Sequence, residues 1–81
     1  MNADSIRQMI ETGFEKAGLP GARAEVQGED GVHFEATVVS EAFAGKLPLA
    51  RHRLVYAALG EMIQTDIHAL SIRARTPDEA G

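Results

Sequence analysis

The first apolar rhythm along the chain is helical. Ile6, Met9, Ile10, Gly13, Phe14 and Ala17 recur at intervals of three and four, which is one face of a helix. This predicts a helix over residues 4–17, capped by Asp4 or Asn2 and stopped by Gly18 and Pro20. Gly13 inside it costs about 1 kcal/mol relative to alanine. The rhythm then changes to two. Ala22, Ala24 and Val26 alternate with Arg23, Glu25 and Gln27, and Val32, Phe34, Ala36 and Val38 alternate with His33, Glu35 and Thr37. Between them lies Gly28-Glu29-Asp30-Gly31, so the pair predicts a hairpin with one buried face.

Ser40 is suited to cap a short helical turn, Glu41 to Ala44, which Gly45 ends. Pro48 fits the first turn of a second long helix, expected to run to about Gln64. Its buried stripe is Leu54, Val55, Ala58, Leu59 and Met62, flanked by Tyr56 and Ile63. Ile67 to Ala74 predict a third strand with Leu70, Ile72 and Ala74 on one face, ended by Thr76-Pro77. The order is αββααβ, an α+β fold with a three-stranded mixed sheet covered by helices on one face. A helical crossover joins the second and third strands, so they are expected to be parallel and, if adjacent, right-handed.

Composition narrows the functions open to such a fold. With 81 residues there is room for one domain, residues 1–81. The absence of cysteine excludes disulfides, a thiolate zinc site, a CxxC motif and a cysteine nucleophile. A net charge of −4 argues against broad, non-specific nucleic-acid binding but leaves a local basic patch open. No apolar run approaches the ~20 residues that cross a bilayer, and Met-Asn-Ala-Asp-Ser has no signal-peptide character. The expectation is therefore a cytoplasmic protein without a membrane partner.

Catalytic chemistry finds little support. Ser5, Ser40 and Ser71 lack a nucleophile elbow, and the carboxylates fall mostly at solvent-facing or turn positions. A core this small rarely encloses a deep pocket, so a non-enzymatic role is expected. Gly18-Leu19-Pro20-Gly21 matches the GxxG string with which KH domains clamp phosphates. Here it joins a helix to a strand and Pro20 lacks an amide donor, so it reads as a helix stop.

Basic residues and histidines are more informative. Lys46, Arg51, His52 and Arg53 gather at the start of the second long helix, where cations oppose the helix dipole. They read either as an anion or partner site built from arginines and free amides, or as solvated cations lying over the core. Arg73 and Arg75 add charge to the exposed face of the third strand. His33 and His68 fall near the starts of the two parallel strands, which can bring the rings within roughly 10 Å of each other. Imidazole is a good ligand for iron, zinc or copper. Strict alternation would send the rings to opposite faces, because His68 shares the parity of Leu70 and Ile72. Two histidines also leave a metal site incomplete, so a partner must supply the other ligands.

Two groups of segments resemble a known family. Gly28-Glu29-Asp30-Gly31-Val32-His33-Phe34, Val38-Val39-Ser40 and Phe43-Ala44-Gly45-Lys46 are similar to the first half of a BolA-like domain. Arg51 to Leu59, Ile67-His68-Ala69-Leu70-Ser71-Ile72 and Thr76-Pro77 are similar to the second half, so the likeness is strongest over residues 26–77. The resemblance implies an αββααβ fold similar to the class II KH fold, followed by a C-terminal helix. Since the chain stops at Gly81, that helix is expected to be short or missing. It further implies a monothiol glutaredoxin partner that carries glutathione and a two-iron, two-sulfur (2Fe–2S) cluster, with no cluster on the isolated chain. In that family the histidine of the Ile-His-Ala motif is a cluster ligand, and His68 holds this position. The second ligand comes from the loop between the first two strands as histidine or cysteine. His33 is the candidate, which makes this chain resemble the histidine type. The family's transcription-regulator branch implies the alternative, a DNA-binding role for the helix-turn-helix-like Lys46–Arg53 surface. By itself the chain is expected to be a monomer or weak homodimer.

Overall fold

The computed structural model describes residues 2–28, 30, 33–60 and 69–80. Helix α1 (Ala3–Lys16) begins where the Asn2 side chain accepts from the Ser5 amide at 2.8 Å. Asn2, rather than Asp4, is therefore the cap. The helix ends with Ala17 as an exposed C-cap and Gly18 at φ 71°, so Ala17 leaves the buried stripe predicted for it. Ile6, Ile10 and Phe14 carry that stripe and are fully buried.

Strands β1 (Arg23–Gln27) and β2 (His33–Val39) pair antiparallel, and β2 pairs parallel with β3 (Ala69–Arg75) in the order β1-β2-β3. The three-stranded mixed α+β architecture follows the expectation from periodicity. Ala24, Phe34, Ala36 and Val38 point into the core, while His33 and Glu35 are exposed. The edge of β1 is partly covered by Glu11, which accepts from the Ala24 amide at 3.0 Å while paired with Arg7 at 2.9 Å.

Ser40 turns the chain at the end of β2. Its amide donates to the Arg75 carbonyl, its Oγ donates to the Pro20 carbonyl at 3.0 Å, and the same Oγ accepts from the Ala42 amide. A buried hydroxyl with both partners supplied adds stability rather than strain. The 3₁₀ turn Glu41–Phe43 that follows buries Phe43 edge-to-face on Phe14, with ring centroids 5.7 Å apart.

Helix α2 (Pro48–Leu59) has proline in its first turn, as expected, and contributes Val55 and Leu59 to the core. It closes at Leu59 rather than near Gln64, because Gly60 takes φ 64° and leaves helical geometry. Met62, Ile63 and Gln64, placed on this helix from sequence, lie outside the described residues, as do Ile67 and His68. The last element, α3 (Pro77–Ala80), is a single turn, in line with the short closing helix expected. Among the described residues no helix is long and apolar enough to cross a membrane.

Gly13 now has a packing reason. A β-carbon there would lie 2.6 Å from that of Ala58, 2.8 Å from its Cα and 2.9 Å from its carbonyl oxygen. The missing side chain lets α1 and α2 touch backbone to backbone over the sheet. Gly13→Ala should gain about 1 kcal/mol of helix propensity but lose about 1–3 kcal/mol to overpacking against Ala58. A lower melting midpoint for G13A checks this, whereas a raised midpoint would contradict the close approach.

Candidate functional site

At the start of β2 the chain pairs an imidazole with a carboxylate. The Asp30 carboxylate accepts from the His33 amide at 2.8 Å and meets His33 Nδ1 at 2.8 Å. An ionised carboxylate only accepts, so Nδ1 carries the proton in this contact. In the neutral ring the lone pair then sits on Nε2, away from Asp30. Such a carboxylate–imidazole pair fixes tautomer and ring direction, as metal-binding histidines require. The His33 side chain is 72% exposed, on the rim of an open groove lined by Gln27, Gly28, Phe34, Glu35 and Ser71.

Gly28 shapes the approach to this position, because a β-carbon there would run into the Phe34 ring and lie 2.9 Å from the His33 carbonyl oxygen. The parallel register sets His33 opposite Ala69. His68, the residue before Ala69 in sequence, lies outside the described residues, so the predicted ring pair has one described member. Among the described residues, no group of three or more histidine, cysteine, aspartate or glutamate side chains is arranged to hold a metal. His33 is thus an exposed imidazole whose Nδ1 is engaged by Asp30.

The basic group divides. Arg51 is not a free cation: its Nε donates to the Lys46 carbonyl at 2.8 Å, and its Nη1 donates to the Ala74 carbonyl at 3.0 Å. Its fork also meets Glu79, at 2.6 Å from Nη1 to Oε1 and 3.2 Å from Nη2 to Oε2. In this structure α3 folds back and its Glu79 carboxylate occupies the Arg51 fork. Lys46 and Arg53 are exposed, His52 is half-buried, and Arg73 and Arg75 lie exposed on the outer face of β3. The register adds a residue the sequence had not singled out, because Arg23 and Arg75 flank Val39 on that same face.

His33 and the Arg51 contact occupy opposite ends of β2 and β3. From His33 to Val39 the strand advances six residues, roughly 20 Å at the usual strand rise. The two candidate surfaces are therefore separate. Asp30 was missed as the orienting partner because its contact depends on loop geometry. Glu79 was missed too, although Thr76-Pro77-Asp78-Glu79 is a readable capping box: the Glu79 amide donates to Thr76 Oγ1 at 3.3 Å and the Thr76 amide to Glu79 Oε1 at 2.9 Å.

Comparison with known proteins points one way. The BolA-like protein family matches residues 14–79. BolA-like protein 1 of Pongo abelii is 40% identical over 94% of this chain, which spans 61% of that relative's length. The DNA-binding transcriptional regulator BolA of Vibrio cholerae is 53% identical over 58% of this chain and 44% of its own. A solved bolA homologue from Coxiella burnetii superposes with a TM-score of 0.84 and 47% identity, covering 99% of this chain and 96% of its own.

The Arg51–Glu79 pair has a pH signature. The hydrogen bond from Arg51, followed by that from the Thr76 amide, lowers the Glu79 carboxyl from 4.5 to about 2. The stabilisation is therefore full above pH 4.5 and is lost as pH falls toward 2. Thermal melts should show wild type above Glu79→Gln near neutrality, with the gap closing across that acid window. A gap independent of pH would contradict the pairing.

Proposed function

The chain belongs to the BolA-like family, and on that footing we propose that it is a non-enzymatic adaptor of iron–sulfur cluster handling. It docks a monothiol glutaredoxin and shares a 2Fe–2S cluster with it, in cluster assembly, trafficking or iron sensing. The partner and its glutathione supply every thiolate, because this chain has no cysteine. Histidine nitrogens are this chain's contribution, from His33 and His68.

One observation carries the reading: Asp30 holds His33 by Nδ1, which leaves the ring's other nitrogen for a ligand. Imidazole nitrogen suits iron, and an exposed single donor suits a centre shared across an interface. The parallel register lends further support, because His33 stands opposite Ala69 and His68 is the next residue back in sequence. Asp30 is a positioning residue in this scheme, acting through His33 without touching the cluster.

The second reading is a DNA-binding regulator, favoured by the name of the Vibrio cholerae relative. With Arg51 bound to Glu79, its cations are Lys46 and Arg53 at the start of α2, with Arg73 and Arg75 on the sheet. Arg53→Ala should then weaken DNA binding evenly across sequences and flatten its salt dependence. An unchanged affinity removes this reading.

The adaptor reading is tested on the heterodimer purified with a monothiol glutaredoxin. His33→Ala and His68→Ala should each alter the visible absorption and circular dichroism of the shared cluster. Asp30→Asn should retain the ligand yet release the cluster about tenfold faster, the usual scale for loss of an orienting partner. Spectra identical to wild type in both histidine variants would sink the ligand roles.

A further inference from the structure

Every second residue of an edge strand turns its N–H and C=O away from its own sheet, toward whatever lies beside it. In β1 the outward set includes Ala24, whose amide donates to Glu11 Oε2 at 3.0 Å although Val38 stands opposite it across the ladder. Arg23 and Glu25, on either side of Ala24, are exposed on the outer face of the sheet. Neither has an ion pair among the described residues.

Glu11 is fixed in place over this edge. Its Oε1 meets Arg7 Nη1 at 2.9 Å, which leaves Oε2 for the Ala24 amide, and Arg7 is held in turn by Asp4 at 2.8 Å. Ala24 is only 3% exposed although it lies on an edge strand and both of its neighbours are exposed. A charged side chain laid over an edge is one of the means by which strand addition is blocked.

The residues of β1 show what the cover keeps out. In an antiparallel pair of β1 strands with a two-fold axis at Ala24, each Ala24 exchanges both backbone hydrogen bonds with its counterpart. Arg23 of each copy then stands opposite Glu25 of the other, twice over. Opposite charges directly across a ladder stabilise the pairing and like charges oppose it. An axis at Glu25 or at Arg23 would set that residue against itself, and one at Val26 would set Glu25 against Gln27. We propose that β1 is a self-complementary edge through which two copies of this chain join their sheets, and that Glu11 is the guard that holds the edge closed. The two-fold match of Arg23 with Glu25 commits the edge to a second copy rather than to a strand of another protein. Ala24 stands opposite Val38, five residues along β2 from His33 and roughly 17 Å away at the usual rise, so this surface is independent of the cluster reading.

Sedimentation equilibrium on the full chain, at neutral pH and low salt, tests the proposal. Two guards must withdraw for each dimer, so Glu11→Ala should lower the dimer dissociation constant at least about tenfold relative to wild type. Alanine is the best helix former and Glu11 is only half-buried, so α1 is kept. Arg7→Ala frees the guard without removing it and should move the constant the same way by less. On the Glu11→Ala background, Arg23→Glu sets like charges opposite one another and should restore the monomer. Adding Glu25→Arg to that variant reinstates the opposite pairs and should recover the dimer; both positions are exposed, so the fold tolerates the exchange. A Glu11 with a purely structural role would give no such charge-swap recovery. Unchanged association in both Glu11→Ala and Arg7→Ala overturns the proposal. So does a dimer indifferent to Arg23→Glu, which would place the contact on another surface, or a failure of the exchanged pair to recover it.

Discussion

The parallel pairing of β2 with β3 is the constraint on which the rest depends. Parallel neighbours cannot be joined by a tight turn, so the chain must cross over the sheet, and α2 is that crossover. The pairing places His33 opposite Ala69 at one end and Val39 opposite Arg75 at the other. It therefore creates two ends with different chemistry: an imidazole held by a hairpin carboxylate, and an arginine fork held by backbone carbonyls.

Burial on the helical side keeps that pairing in place. Phe34, Ala36 and Val38 of β2 face Ile6, Ile10 and Phe14 of α1 together with Val55 and Leu59 of α2 in one apolar cluster. The helices can share so small a sheet only because Gly13 gives Ala58 room. At the distal end polar groups take over. Ser40 ties the end of β2 to Pro20 and to β3, while Arg51 ties α2 to β3 and to α3. The fold is closed by packing at its centre and by hydrogen bonds at its rim.

Much of this was legible in the sequence because burial imposes a period. The spacing of Ile6, Ile10 and Phe14, and the alternation through Phe34, Ala36 and Val38, are direct records of which side faces the core. The exposed parity of His33 was readable for the same reason. The end of α2 was not, since Met62 and Ile63 continue the apolar pattern past Gly60 and periodicity cannot see a positive φ. The inner face of α2 was readable as well: the stripe Leu54, Val55, Ala58 and Leu59 leaves out Leu47 and Leu49, and the structure packs the first four on the core and exposes the other two. The Arg51–Glu79 contact spans 28 residues and exists only once β3 has been laid beside β2. Long-range electrostatics of this kind leave no local signature, although the capping box that positions Glu79 does.

Under the proposed function, this chain gives imidazole nitrogen alone to a cluster whose thiolates come from its partner. Pulsed electron paramagnetic resonance on the reduced heterodimer tests it most directly, with ¹⁵N-histidine incorporated into this chain alone. The expected result is ¹⁵N hyperfine coupling of the strength that a directly bound imidazole gives. A cluster signal without nitrogen coupling from this chain would contradict it.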